Sequence, residues 1–524
     1  MPRSSRSRNR PQSPFVRNIA ITALASALLV GTPVAAFAAA PYPSDSTAPN
    51  LIPLLAGYND YWVADAGNTL HGTVKDAATL QHDDELTVWI NNHATTAQQF
   101  KALQDSEYNN TAGTAYDQSM TIADSLGSVL GPLYLKGTNT GALPLTKALI
   151  NSSNGTSGAY VGTGAAKTNF SHPRPFLPTD ATTAPVAGDA AACSPTTVNA
   201  SSLSATRVGQ PYAAANGNLN IVRVPDQTDT TGAIAPNGAA VPLSAGYGQA
   251  GICTGGSFPS GHTTTAYQAG VTLATLLPEL APEVLARASE AGNDRIVLGV
   301  HYPLDIMGGR IDGEAALAAR WSDTQYRTEV LEPARAELVN YLQTQCGGTL
   351  ADCIAKETAY QSNPYGGQAM PGGTAQVVTN RATATSVYRE RMTYGFPATG
   401  TTGLAPSIPA GADNLLLTAF PTLTDAQRTA VLAQTEIASG YPLDQSTSSS
   451  GSWERLDLAA ATSATVQLAA DGSVQVTATG GQAQVLPAAV TDPTPTPTPA
   501  PTGSTGGTGT TAPTTTAHLP VVSG

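Results

Sequence analysis

Ser257-Phe258-Pro259-Ser260-Gly261-His262 precedes a largely apolar run that continues to about Leu277. Proline, serine and glycine just ahead of a helical pattern predict a loop that leads into a helix N-terminus, where unpaired backbone N–H groups point outward. Such a helix end binds anions, and phosphate above all. His262 lies in the predicted first turn and can give or take a proton near neutral pH. Because a turn of this kind is more often an ordinary helix cap, its chemistry depends on the flanking residues.

Two blocks of charged residues flank this turn. Upstream, Lys167 is followed after six residues by Arg174; downstream, Arg295 is followed after five residues by His301, and His301 after three more by Asp305. With His262, these blocks supply three cations, two histidines and one carboxylate. Those groups are the ones needed to hold a phosphoryl group and to cleave it without a metal ion.

In this order the two charged blocks and the turn between them, three blocks in all, resemble the signature of the type-2 phosphatidic acid phosphatase superfamily. That superfamily includes the bacterial class A non-specific acid phosphatases and the vanadium-dependent haloperoxidases. The resemblance covers residues 167–310, less than a third of the chain. Ser257-Phe258 and Thr263 look more like the phosphatases. The resemblance implies a mainly α fold with a helical-bundle core, a phosphohistidine formed at His301 and proton donation by His262.

The charges of the other motif residues indicate their roles. Phosphoryl transfer depends on positioning and on neutralising the phosphoryl oxygens, so we expect one phosphate-binding cradle made of cations and backbone N–H groups. Its predicted members are Lys167, Arg174, Ser260, Gly261 and Arg295. Asp305 would hold the tautomer of His301 and stabilise its cationic adduct. No metal or other cofactor is expected, and vanadate should act as an inhibitor or, in the haloperoxidase alternative, as the cofactor.

Other polar residues near or outside these blocks receive no catalytic role. Asp294 stands where the family commonly has serine, and it could pair with Arg295 or raise nearby histidine pKa values. His172 lies inside the first block but lacks a partner in the sequence, so an incidental position is the better interpretation. Three further histidines have no ligand spacing and are expected to be surface or core residues: His71, His82 and His93.

The N-terminus and the composition predict export. Residues 1–38 combine a basic segment, a short apolar run at 19–30 and the small-x-small site Ala36-Phe37-Ala38, which is typical of a cleaved signal peptide. No later segment is a convincing transmembrane helix. The chain has 25 basic and 37 acidic residues, a formal net charge of −12, which argues against binding nucleic acid or anionic membranes. We therefore expect a secreted protein that acts on small phosphorylated substrates.

Four cysteines in an exported chain suggest two disulfides. Cys346 and Cys353 most simply form a local pair, which leaves Cys193 with Cys253; three pairings are formally possible, and this preference rests on proximity. Residues 176–256 form an insertion between the first two blocks, with one strand-like patch at 219–224. A bridge from Cys193 to Cys253 would tether this insertion next to the phosphate-binding turn, as a lid.

The domain prediction follows from these patterns. Residues 41–345 form the helical catalytic domain with its insertion at 176–256, and residues 346–490 form a small accessory region. That region begins a short helix at a Thr424/Gln427 capping box and contains a β-hairpin around Asp471-Gly472. Thr-Pro and Gly/Thr repeats in residues 491–524 predict a disordered tail that could associate with the cell wall.

Three functions remain open at this point. The favoured one is a secreted, metal-independent acid phosphatase that hydrolyses phosphomonoesters. A vanadium haloperoxidase would use the same cradle, because vanadate mimics the phosphoryl transition state. A non-catalytic cell-wall protein is disfavoured, because the complete set of charged motif residues is improbable by chance.

Overall fold

The computed structural model describes residues 42–67, 69–107, 118–150, 156–232 and 239–487. The predicted signal peptide and the predicted C-terminal tail lie outside the described residues. The fold is mainly helical, as predicted. The longer helices are α1 (Ala77–His93), α2 (Thr96–Ser106), α3 (Gly127–Thr140), α4 (Pro144–Ile150), α5 (Gly164–Phe170), α6 (Gly261–Leu276), α7 (Ala281–Val297), α8 (Pro303–Ser322), α9 (Glu332–Cys346), α10 (Arg381–Thr393) and α11 (Asp425–Thr435).

Short helical turns join these helices. The α-helical ones are Leu51–Leu54, Gln118–Thr121, Ser204–Arg207, Ala250–Thr254, Thr324–Tyr326, Leu350–Ile354 and Leu458–Ala461. A π-helical turn, Arg327–Leu331, precedes α9. The 3₁₀ turns are Pro43–Ser46, Ala56–Asp60, Ala123–Leu126, Ser157–Ala159, Ala191–Cys193, Ser201–Leu203, Pro278–Leu280, Pro364–Gly367, Ala412–Leu416 and Trp453–Arg455.

The strands form three small sheets. Two are antiparallel pairs, β1 (Trp62–Ala64) with β2 (Gly72–Val74) and β3 (Gln227–Asp229) with β4 (Val241–Leu243). The third contains β5 (Thr465–Leu468), β6 (Val474–Ala478) and β7 (Gln484–Leu486) in the order β6-β5-β7. The antiparallel β5–β6 pair confirms the hairpin predicted around Asp471-Gly472, whereas β7, which pairs in parallel with β5, was not predicted.

Helices α6, α7 and α8 form the centre of the bundle, and nearly all of their residues are buried. Each begins where the sequence supplies the required residue: the side chain of Ser260 caps α6, and proline stands in the first turns of α7 and α8. Glycine lets α8 approach the N-terminus of α6. A Cβ at Gly309 would lie 2.8 Å from the Ser260 carbonyl oxygen and 2.7 Å from Thr263 Cβ. Any larger residue there would separate the two helix ends that carry the predicted chemistry.

Residues beyond Cys346 pack into the same compact unit, which begins at Pro43. Arg310 of α8 forms buried ion pairs with Glu314 and with Glu454. Arg391 of α10 donates to the Ala286 carbonyl and to the Ser289 hydroxyl of α7. The Thr424/Gln427 capping box is present at the start of α11, as predicted. The C-terminal region therefore contributes charged side chains to the interior of the helical bundle.

Both predicted disulfides are present, Cys193–Cys253 and Cys346–Cys353. Within residues 176–256, the prediction of a strand at 219–224 is wrong: Leu219 makes a single isolated bridge to Ala213, and the strand pair lies later, at β3 and β4. The backbone of residues 219–224 bonds partly to other loop backbone, as in the Asn220 N–H to the Tyr212 carbonyl, and partly to side chains of neighbouring elements. Val222, for example, exchanges hydrogen bonds with the Asn91 amide.

A single helix that crosses a bilayer must be both long and apolar. Among the described residues, no single helix meets both requirements. Gly261–Leu276 and Pro278–Val297 meet them only together, as a pair bent by 115°.

Candidate active site

The three charged blocks converge at the N-termini of α6 and α8. The Ser260 hydroxyl accepts a hydrogen bond from the Thr263 N–H (3.3 Å), which is the cap expected at the start of α6. The Ser260 N–H donates to the Asp305 carbonyl oxygen at 3.0 Å, so the turn before α6 is bonded directly to the first turn of α8. Lys167, at the end of α5, reaches the same turn, where its Nζ donates to the carbonyl oxygens of Gly256 and Ser257, both at 2.9 Å.

His301 and Asp305 form the buried pair that their spacing predicted. The His301 Nδ1 lies 2.9 Å from Asp305 Oδ2, and the Tyr302 N–H donates to the same oxygen at 3.0 Å. Asp305 is fully buried, and burial raises the pKa of its carboxyl to about 7, although the Tyr302 N–H and the Lys167 cation oppose the rise. The carboxyl group is therefore held by two donors but is costly to ionise.

Arg174 determines which nitrogen of His301 carries the proton. Its Nη1 lies 3.0 Å from His301 Nε2 and donates to the Val300 carbonyl oxygen at 3.0 Å. A guanidinium group can only donate, so Nε2 must accept and the proton must reside on Nδ1, facing Asp305. Burial, with Arg174, Lys167 and Arg295, holds the pKa of His301 well below its usual range. His301 is consequently neutral, with the lone pair of Nε2 on the cation side.

His262 lies in the first turn of α6 and is partly exposed. Burial, Arg295 and Arg174 lower its pKa well below the usual range, and a hydrogen bond to the main chain of Ser106 opposes this shift. The side chain of Ser106 also accepts a hydrogen bond from Arg295 Nη1. Ser106, the last residue of α2, thus contacts one predicted acid and one predicted phosphate ligand. Its sequence context, an ordinary helix end far upstream, gave no signal of this.

His172 lies beneath the site rather than in it. Its Nδ1 is 3.1 Å from the Ser257 hydroxyl, and its ring makes edge contacts with Trp62 (4.9 Å between centroids) and Tyr302 (5.1 Å). Burial lowers its pKa well below the usual range. His172 therefore supports the turn before α6 as a neutral, packed side chain.

Asp294 lies in a different charge environment from the cradle. It is fully buried, and burial followed by the nearby Asp105 and Glu290 raises its carboxyl pKa well above the ordinary value. Asp105 in turn forms a two-pronged ion pair with Arg287. Asp294 thus belongs to a buried cluster between α2 and α7.

The histidines without predicted chemistry have other neighbours. His93 stacks on Trp89, His82 packs against Phe396, and His71 lies 3.4 Å from the Ser201 hydroxyl. Across the described ranges, no group of three or more His, Cys, Asp or Glu side chains is arranged to hold a metal ion.

Three cations lie around two histidines near the ends of the central helices: Lys167, Arg174 and Arg295. In a helical bundle, this arrangement defines an anion-binding site suited to phosphoryl chemistry. The comparison with known families agrees, because residues 148–329 match the PAP2 superfamily. The resemblance drawn from the motif blocks is thus confirmed for this part of the chain.

Individual relatives match over shorter stretches. The chain is 39% identical over 88 residues to an acid phosphatase of Zymomonas mobilis, covering 17% of this chain and 33% of the relative. It is 32% identical over 82 residues to a non-specific acid phosphatase of Providencia stuartii (16% and 33%), and 36% identical over 63 residues to one of Salmonella typhi (12% and 25%). The chain thus spans no more than about a third of the length of these curated relatives.

Proposed function

We propose that this protein is an exported acid phosphatase that hydrolyses phosphomonoesters without a metal ion, through a phosphohistidine at His301. One observation carries the proposal: His301 is bonded to Asp305 through Nδ1 and presents Nε2 to Arg174. A histidine in this tautomer, placed beside a group that binds phosphate, is arranged for attack on phosphorus. The names of the matched relatives support this reaction class.

In the first step, the phosphate displaces Arg174 from Nε2 and binds Lys167, Arg174, Arg295 and the N–H groups at the start of α6. The Nε2 lone pair then forms a bond to phosphorus while the bond from phosphorus to the ester oxygen breaks. Asp305 stabilises the positive charge that develops on the His301 ring, and this charge in turn lowers the raised pKa of the carboxyl and favours its ionised form in the complex. His262, protonated in the complex, gives its proton to the leaving alcohol.

In the second step, His262 acts as a base instead of an acid. Neutral His262 takes a proton from water as the water oxygen attacks phosphorus, and the phosphorus–nitrogen bond to His301 breaks. Inorganic phosphate leaves, His301 is neutral again, and His262 has recovered its proton. The cations of the cradle offset the charge on the phosphoryl oxygens in both steps.

The electrostatics of the site favour an acidic working range. Burial and the neighbouring cations hold the pKa of His301 well below its usual value, which keeps Nε2 unprotonated in mildly acidic solution. The same cations depress the pKa of His262, but a bound phosphate dianion neutralises them and raises that pKa. Phosphate relieves the same cations beside His301, but the Nε2 of that ring faces phosphorus and its Nδ1 already carries a proton, so the added proton goes to His262. We therefore expect a bell-shaped pH profile with a mildly acidic optimum.

The decisive experiment compares p-nitrophenyl phosphate hydrolysis with bromide oxidation by hydrogen peroxide in the presence of vanadate. We expect phosphate release that vanadate inhibits. His301→Ala should abolish turnover, whereas His93→Ala, which changes a histidine outside the site, should not. Acid-labile, base-stable phosphate on the wild-type protein after rapid quenching would identify the phosphohistidine.

Three outcomes would contradict the proposal. Bromide oxidation without phosphate release would favour the haloperoxidase, and neither activity would favour a non-catalytic protein. Full activity of His301→Ala would assign the nucleophile to another residue.

A further inference from the structure

The loop between α7 and α8, residues 298–302, carries the proposed nucleophile, and we call it the nucleophile loop. Residues 176–256, closed by the Cys193–Cys253 disulfide, pack against this loop. Side chains of residues 176–256 form hydrogen bonds with both ends of the nucleophile loop. These contacts are distinct from those of the phosphate-binding cations, except for Arg174, which holds the Val300 carbonyl at the middle of the loop.

Tyr247 holds the beginning of the loop. Its hydroxyl donates to the Leu298 carbonyl oxygen and accepts from the Val224 N–H at 3.0 Å. The Arg223 guanidinium lies over its ring, 5.2 Å from the centroid. The Cys253 sulfur lies 3.1 Å from the Tyr247 carbonyl oxygen, so the disulfide packs directly beside this tyrosine. The orientation of the Tyr247 hydroxyl is thus fixed from several sides.

Arg207 holds the end of the loop. It forms a two-pronged ion pair with Asp84 of α1 (3.0 and 2.9 Å) and donates to the Tyr302 hydroxyl at 2.8 Å. Tyr302 follows the nucleophile directly, and its N–H donates to the oxygen of Asp305 that also bonds to His301. A movement of the Tyr302 side chain would therefore also displace its backbone N–H, and with it the positions of Asp305 and His301.

The middle of the loop fits closely against the same segment. Gly299 has a φ of +65°, and a Cβ at this position would lie 2.4 Å from Ile221 Cγ2. Asn91 of α1 donates to the carbonyl oxygens of Val222 (3.0 Å) and Val297 (2.8 Å), which joins the segment to the last turn of α7. The loop consequently has little freedom to move away from the cradle.

We propose that residues 176–256 act as a brace that positions His301, with Tyr247 and Arg207 as its positioning residues. This inference rests on the proposed phosphatase function. A brace and a lid make different demands: a lid changes the preference between small and bulky substrates, whereas a brace changes the turnover of all substrates equally. It also leaves phosphate binding intact, because the cradle is built by other side chains.

Tyr247→Phe and Tyr302→Phe test the brace, since each keeps its ring and removes a hydroxyl from one end of the loop. The control is Tyr212→Phe, because the Tyr212 hydroxyl is buried in the same segment and has no hydrogen-bond partner among the described residues. We expect kcat to fall about 10- to 100-fold in the two test variants, since a small misplacement of a reacting group has effects of this size. The fall should be equal for p-nitrophenyl phosphate and for bulkier phosphomonoesters.

Two inhibitors separate positioning from binding. Inorganic phosphate needs only the cradle, so its inhibition constant should stay within about twofold of wild type. Vanadate gains from a bond to the nucleophile, so its inhibition should weaken together with kcat. Circular dichroism of each variant checks that the fold is retained, and the two substitutions at opposite ends of the loop test the brace independently.

Several results would overturn the brace. Wild-type kcat in both test variants would show that the hydroxyls do not position His301. An equal fall in Tyr212→Phe would mean general destabilisation, and a parallel loss of phosphate affinity would assign the segment to the cradle. By contrast, a wild-type protein that neither hydrolyses phosphomonoesters nor binds phosphate would contradict the proposed function itself.

Discussion

Replacing Asp305 by Asn should stabilise the protein at high pH and impair catalysis. Burial raises the pKa of Asp305 from its ordinary value of 3.8 to about 7. The folded protein therefore binds this proton more tightly than the unfolded chain, and the free energy of unfolding falls as pH rises between these two values. A shift of this size corresponds to at most about 4 kcal/mol. Asparagine does not ionise, so the variant should lack this loss of stability.

Catalysis should change in the opposite direction. The amide of Asp305→Asn can turn its NH₂ group toward His301 Nδ1, which would move the ring proton to Nε2 and remove the attacking lone pair. The corresponding aspartate-to-asparagine change in a Ser-His-Asp triad lowers kcat about 10⁴-fold through the wrong tautomer. We expect a fall of about 10³- to 10⁴-fold here, because Arg174 still favours the productive tautomer by donating to Nε2.

The measurement is urea unfolding at about pH 4, 6 and 8, with kcat determined on the same preparations. Relative to wild type, Asp305→Asn should be equally stable at about pH 4 and more stable at about pH 8. Asp312→Asn is the matched control: Asp312 is a buried carboxylate of α8 whose pKa is raised by burial, and its Oδ2 accepts from Thr264. It should show a similar stability gain and nearly normal kcat. Parallel stability curves for wild type and Asp305→Asn, or an equal loss of kcat in Asp312→Asn, would refute the reasoning.

Three further predictions concern the rest of the molecule. Replacing Cys193 and Cys253 by Ser should lower the free energy of unfolding by about 4 kcal/mol, and replacing Cys346 and Cys353 should lower it by about 2 kcal/mol. The difference arises because the two bridges close loops of 60 and 7 residues. Equal losses in urea titrations would contradict this entropic account. Arg310→Met leaves Glu314 and Glu454 unpaired and should cost about 3–5 kcal/mol near neutral pH. Burial already raises the pKa values of Glu314 and Glu454, so the stability lost in Arg310→Met should become smaller in acid, where both carboxyl groups take up protons. A loss of stability that does not change with pH would contradict this prediction. EDTA should leave phosphatase activity unchanged; activity lost on chelation and restored by zinc or magnesium would assign another catalytic class.

Much of the central fold could be predicted from the sequence, because its determinants are local. The Pro-Ser-Gly turn, the apolar run after it and Pro303 defined the starts of α6 and α8. The four-residue spacing of His301 and Asp305 placed both side chains together at a helix start. The capping box of α11 and the β5–β6 hairpin were likewise readable from a few adjacent residues.

The rest depends on contacts between residues far apart in the chain. Ser106 and Arg207 meet the site only because α2 and residues 176–256 fold back onto it, and neither lies in a pattern that signals chemistry. Residues 219–224 have strand-like composition, but their backbone groups bond to side chains such as Asn91 and Tyr247 instead of to another strand. Tertiary contacts outweigh β-propensity there.

The different roles proposed for His262 and His301 come from their partners rather than from their positions in the sequence. Burial depresses the pKa of both rings, and the same cations lower both values further. His301 faces a carboxylate, which compensates the full positive charge that forms when phosphorus is bound to Nε2. His262 bonds to the main chain of Ser106, a neutral acceptor that stabilises a proton less than a carboxylate does. A ring in that setting releases its proton readily, which suits an acid, whereas the carboxylate-bonded ring is suited to carry a covalent adduct.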